Sequence, residues 1–167
     1  MAVSNISGKF TKYLLFILSL FGFILSMYAF HVGTVKQKND SYNPWCDFSR
    51  TMSCSQIFTS RYGKGFGLVD RILSKDSIFN QPSSVFAMAF YMMQIFMTIT
   101  KSDDAIAMQS LVSLLANFGS IYFFYVLYSL QNFCLICISL YIINALILVC
   151  VLLRLITLHK QTLKKTH

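Results

Sequence analysis

The chain contains no glutamate, and its six acidic residues are all aspartates that fall outside the long apolar runs. That absence excludes a catalytic pair of carboxylates inside those runs, and neither a glycine-rich nucleotide loop nor a Ser-His-Asp set occurs elsewhere. Charge of either sign is scarce, at 12% of residues against roughly 25% in soluble domains, while 56% of residues are hydrophobic. Such a composition belongs in lipid. Residues 13–30 and 82–100 carry no charged side chain, and each run is close to the ~20 residues that cross ~30 Å of hydrocarbon.

Residues 105–153 contain no Lys, Arg, Asp or Glu. As one straight helix that run would extend roughly 70 Å, more than twice the bilayer core, so it must fold back on itself. Its one central polar cluster, Tyr128, Ser129, Gln131 and Asn132, marks the reversal. The expected fold class is therefore an all-α membrane protein: a four-transmembrane-helix bundle with a large luminal loop that carries a short surface helix. The spans are expected at about 13–31, 82–100, 105–127 and 133–153, with the loop over 32–81, in a single membrane domain over 1–167. Lys9 and Lys12 precede the first run, but its length and the want of a small-x-small cleavage site favour a retained span over a signal peptide.

Four spans put both termini on one side. Lys and Arg number seven on that side and seven in the loop, so the positive-inside rule does not choose an orientation. The final "KKTH" resembles the dilysine signal of endoplasmic reticulum membrane proteins, which is read from the cytosol; the other reading is a basic tail on anionic lipid. The first reading makes the termini cytosolic and the loop luminal, and leaves the basic balance without need of a nucleic-acid partner. Sequons begin at Asn5 and Asn39, of which only Asn39 would be luminal.

The five cysteines divide unequally. Cys150 lies deep in the fourth span and reads as packing. Cys46 and Cys54 lie in the loop, and Cys134 and Cys137 open the fourth helix, so both pairs face the same side, in a compartment where thiols and disulfides exchange. Asn132 as N-cap would put Cys134 and Cys137 in the first helical turns, where free N–H groups favour a thiolate. The face that carries both continues to Tyr141 and Asn144. A tyrosine hydroxyl below a reactive thiol suits a carbonyl oxygen of an apolar ligand, whereas Asn144 reads first as an interhelical hydrogen bond. Ser53 is positioned to cap a short helix from Cys54, and the aromatic, basic stretch that follows suits a membrane surface. His31, at the end of the first span, reads as an interfacial residue and not a base.

These residues resemble the vitamin K epoxide reductase family, from about residue 28 to 144, through "WCDFSRTMSCSQIF", "SRYGKGFGL", "DSIFNQPSSVF" and "CLICISLYIIN". The resemblance implies that Cys137 attacks the epoxide or quinone and that Cys134 resolves it. It further implies that Cys54 exchanges with Cys134, and that Cys46 receives electrons from a luminal thioredoxin-fold partner. Tyr141 matches the tyrosine that hydrogen-bonds the naphthoquinone and coumarin-type inhibitors, and Phe58 a phenylalanine of that pocket. The chain departs from the family at Ser83, where an asparagine usually bonds the substrate's second oxygen, with Asn80 one turn upstream. It departs again at Tyr62, where tryptophan is usual.

The expected activity is reduction of vitamin K epoxide and quinone by a membrane dithiol, with the quinone as substrate, no tightly bound cofactor and no metal. Two alternatives stand beside it. One is a quinone-linked thiol oxidase whose purpose is disulfide formation. The other is a non-catalytic scaffold stapled by disulfides or by a four-cysteine zinc site, although zinc knuckles favour two CxxC pairs and a supporting histidine.

Overall fold

The computed structural model describes residues 2–39, 41–47, 53–60, 63, 81–100, 102–131 and 133–166, with side chains from residue 9 onward except 161 and 163–166. Among the described residues there is no strand, and five helices follow in order: α1 (Ala2–Lys38), α2 (Cys54–Thr59), α3 (Ser83–Ile99), α4 (Asp103–Ser129) and α5 (Leu135–Thr166). Helices α1, α4 and α5 are long and apolar enough to cross a membrane. Helix α3 is apolar but has 17 residues, roughly 26 Å, at the short end of the spanning range.

The helices run beyond the expected spans at three places. Helix α1 continues past residue 31 to Lys38, so the first part of the expected loop is helical. No proline interrupts it, and Gly33 lies against Phe58, so the extra turns are held by α2. Helix α5 likewise continues past residue 153 to Thr166, and α4 past 127 to Ser129. The chain reverses where its polar cluster suggested: Leu130 caps α4 and Gln131 adopts a left-handed φ of 51°. Asn132 and most of the loop, including Tyr62, the aromatic basic stretch and Asn80, lie outside the described residues.

Asp103 and Asp104 occupy the first turn of α4, where the positive end of the helix dipole favours them. Pairs of helices gain little hydrophobic energy from meeting in lipid, so close packing and buried hydrogen bonds must join them. Both devices are present. The face of α1 formed by Ser19, Gly22, Ser26, Ala29 and Gly33 is buried and small, spaced every three or four residues. It lets α3 approach closely. Between α3 and α4, the fully buried Gln109 amide donates to Gln94 Oε1 at 2.9 Å and to Thr98 Oγ1 at 2.8 Å, while Gln94 donates to Ser113 Oγ at 3.0 Å.

Gly22 faces Tyr91 of α3 so closely that a Cβ there would overlap the Tyr91 ring. Tyr91 is 1% exposed and its hydroxyl is bonded to Asn144, so the ring has no cheap rotation away. Replacing an interior glycine by alanine ordinarily gains about 0.5–1 kcal/mol of helix stability, but overpacking costs about 1–3 kcal/mol, and here the second effect wins. Gly22→Ala is therefore expected to lower the unfolding midpoint in detergent, and an unchanged or raised midpoint would contradict this packing.

Candidate active site

The loop cysteines are held by local polar chemistry. Ser53 is the N-cap of α2, its side chain accepting from Gln56 N at 3.3 Å, as its place before Cys54 suggested. Asp47 ties the Cys46 segment to the same helix end. Its carboxylate accepts from the Ser55 backbone N–H at 3.1 Å and from the Ser55 hydroxyl. Farther back, Lys36 near the end of α1 donates to the Tyr42 carbonyl at 2.9 Å, and His31 meets the Tyr42 ring edge-on, a packing role. The result is a Cys46 held beside Cys54, both buried. The ligand atoms of Cys46, Asp47 and Cys54 lie within 4.8 Å of one another. As a metal site that set is one donor short of the four a structural zinc takes, and Asp47 already accepts from Ser55.

The start of α5 is built from its own sulfur. The helix begins at Leu135, so Cys134 is the residue before it and not within the first turn. Cys137 N donates to Cys134 Sγ at 3.3 Å, the bond a capping side chain makes, and Cys134 thereby takes the role expected of Asn132. The next free amide, that of Ile136, reaches across to Cys54. All four thiols belong to one buried cluster with Ala29, Ile57, Leu127 and Ile136. Within it each is in hydrogen-bonding reach of the next: Cys46 with Cys54, Cys54 with Cys134, Cys134 with Cys137.

The middle of this array is electrostatically uneven. Hydrogen bonds from Cys134 and then Cys46, with help from the Ile136 amide, outweigh burial and pull the Cys54 thiol down to about 4. Cys46 moves the opposite way, because its proton is held toward Cys54 and burial disfavours a second negative charge. The thiol that these contacts favour as thiolate is Cys54, contributed from α2.

Beside the array lies a cavity of about 510 Å³ enclosed mainly by α1, α3, α4 and α5. Its walls are apolar, with Phe58, Phe86, Phe90 and Phe123 among the lining residues. Cys137 lines it; Cys46, Cys54 and Cys134 do not. Tyr141 and Ser83 also face it, so the structure brings together every site residue expected from the sequence except Asn80, which is outside the described residues. The Ser83 hydroxyl donates to the Gly63 carbonyl at 3.3 Å. Cys150 packs in a separate core with Leu15, Ile147 and Val151, as its position suggested. Tyr91 and Ser120 were not anticipated. They line the cavity with Asn144, which accepts from Tyr91 Oη at 2.7 Å and donates to Ser120 Oγ at 2.9 Å.

A bundle of membrane helices in which two cysteine pairs meet, one of them opening onto an apolar cavity, defines a membrane thiol oxidoreductase. The chain belongs to the vitamin K epoxide reductase family, whose model matches residues 13–152. It is 41% identical over 129 residues to vitamin K epoxide reductase complex subunit 1 of Rattus norvegicus, covering 77% of this chain and 80% of that protein. The protein of the same name from Mus musculus is 39% identical over 128 residues, 76% of this chain and 80% of its own length. The matched range contains all five cysteines and every cavity residue named above.

The depressed Cys54 thiol has a measurable signature. A lowered pKa in the fold contributes stability that is complete above the unfolded thiol range and is lost as pH falls through about 4. The fully reduced protein is accordingly expected to show one thiolate by ultraviolet absorbance between about pH 6 and 8. Cys54→Ser should remove that signal, and a native protein silent until about pH 8 would refute the assignment.

Proposed function

We propose that this chain reduces vitamin K 2,3-epoxide and vitamin K quinone, using electrons passed from a luminal thioredoxin-fold partner through Cys46 and Cys54 to Cys134 and Cys137. The observation that carries this reading is the continuous run of four thiols, of which only the last, Cys137, faces the apolar cavity. The names of the rat and mouse relatives support the substrate class.

The partner dithiol reduces the Cys46–Cys54 disulfide and leaves as a disulfide. The Cys54 thiolate then attacks Cys134 in the Cys134–Cys137 disulfide, and Cys46 closes onto Cys54, so that two electrons and two protons arrive at the inner pair. A low pKa gives Cys54 full thiolate character at neutral pH, at some cost in nucleophilicity. Cys137 thiolate opens the epoxide by attack on carbon. Cys134 displaces that carbon from Cys137 sulfur, the inner disulfide re-forms, and the products are the quinone and one water. With quinone as substrate the same two electrons and two protons give the hydroquinone. Tyr141 donates to a substrate carbonyl, Phe58 packs on the ring, and the apolar walls exclude bulk water. Ser83 and Asn80 are the further substrate contacts in this reading, and coumarin-type inhibitors occupy the same cavity.

The surrounding architecture follows from the same proposal. Helices α1, α3, α4 and α5 all cross the bilayer, α3 as the shortest, in a single domain over 1–167. Both termini are cytosolic and the thiols face the lumen of the endoplasmic reticulum.

Microsomes carrying the chain, supplied with vitamin K epoxide and dithiothreitol, test the reading. A small dithiol reaches the inner pair directly, so Cys137→Ser is expected to abolish turnover while Cys46→Ser retains much of it. Native protein that reduces quinone briskly but no epoxide would mark a thiol oxidase instead, and loss of activity in Cys46→Ser under dithiothreitol would break the relay order.

A further inference from the structure

Several of the hydroxyls that line the cavity already have acceptors. The Ser83 hydroxyl directs its proton to the Gly63 carbonyl. Tyr91 Oη, 53 residues from its partner in sequence, donates to Asn144 Oδ1. Ser120 donates to the Ala116 carbonyl at 2.9 Å, so its oxygen must act as acceptor toward the Asn144 amide. With the Ser120 proton on the Ala116 carbonyl, the network assigns the Asn144 nitrogen to the Ser120 side and its oxygen to the Tyr91 side. The backbone at Asn144 is fixed as well: its carbonyl accepts from Asn117 Nδ2 at 3.1 Å, and the same Asn117 amide bonds the Ser113 carbonyl at 2.8 Å.

One amide proton of Asn144 is left. Among the described residues no acceptor takes it, and Asn144 lines the cavity. Tyr141 also lines the cavity, one helical turn nearer Cys137 on the same face of α5. The two residues are separated by roughly 4.5 Å of helix rise, and the longer tyrosine side chain carries its hydroxyl farther from the helix than the asparagine carries its amide, so the two donors address different parts of the cavity. A partly buried asparagine whose amide is held at both ends, by Tyr91 at the oxygen and by Ser120 at the nitrogen, is a rigid donor, and rigid donors discriminate ligands more sharply than mobile ones.

We infer that Asn144 is a specificity-determining residue, locked by Tyr91 and Ser120 so that its remaining N–H receives the ligand oxygen distal to the one held by Tyr141. This rests on the quinone reading above and deepens it. It also adds a second donor for a dioxygenated ring beside Ser83, whose proton goes to the Gly63 carbonyl and which therefore meets the ligand by contact and not by donation. The ligand class it selects is a 1,4-diketone ring or its epoxide, in preference to an aromatic ketone bearing one oxygen.

The test is equilibrium binding to the full-length, oxidised protein in detergent, where no electrons are available for turnover. Two probes are compared, a 1,4-naphthoquinone and its single-carbonyl analogue. Asn144→Leu alone would strand the buried Tyr91 hydroxyl, so the substitution is made in Tyr91→Phe protein and compared with Tyr91→Phe itself. Relative to that reference, the double variant is expected to bind the quinone about ten-fold more weakly and the single-carbonyl analogue within about two-fold. The analogue keeps the one bond Tyr141 provides. Equal weakening of both probes would mean a purely structural role for Asn144, and no weakening of the quinone would mean that its N–H does not reach the ligand; either overturns the assignment. Native protein that binds neither probe would sink the quinone reading itself, a result distinct from the other two.

Discussion

The sulfur of Cys54 is the point on which the assembly depends. It belongs to a six-residue helix that could not persist alone, yet it is fully buried against the start of a different, long helix. There it accepts hydrogen bonds from thiols on either side and from the Ile136 amide. The start of α5 would otherwise leave open amides in a low-dielectric region, which is costly. Two cysteines relieve that cost from opposite directions, Cys134 as the cap and Cys54 as an external acceptor. Holding α2 in place and preparing a thiolate are therefore the same interaction.

The four cysteines of this region share one buried cluster, and of them only Cys137 opens toward the cavity. The walls beyond it are aromatic and aliphatic, so polar contacts are few and each carries more weight than it would in water.

Much of this was legible in the sequence, for physical reasons. Uncharged runs of spanning length can only be helices in lipid, and a run twice the bilayer thickness must reverse at its polar point, which it does at Leu130 and Gln131. Ser53 before Cys54 is a cap by local chemistry alone. The alignment of Cys137, Tyr141 and Asn144 is helical arithmetic, and all three line the cavity. What escaped were the relations between helices. Nothing local to Tyr91 announces a bond to Asn144, and nothing in "FCLIC" says that the favoured thiolate would be lent by another helix. The capping role of Cys134 was hidden because a better-known cap, Asn132, stood two residues earlier.

The contact between Gly22 and the ring of Tyr91 has a consequence for how the cavity tolerates change. Tyr91 forms part of the wall, and its back rests on a backbone with no side chain between them. The depth to which a ring system can enter is thus gauged from behind, by a residue that no ligand touches. Variation along that face of α1 would resize the chamber as surely as variation in its lining, and tolerance toward a bulky occupant is heritable at positions that a list of ligand contacts would never include.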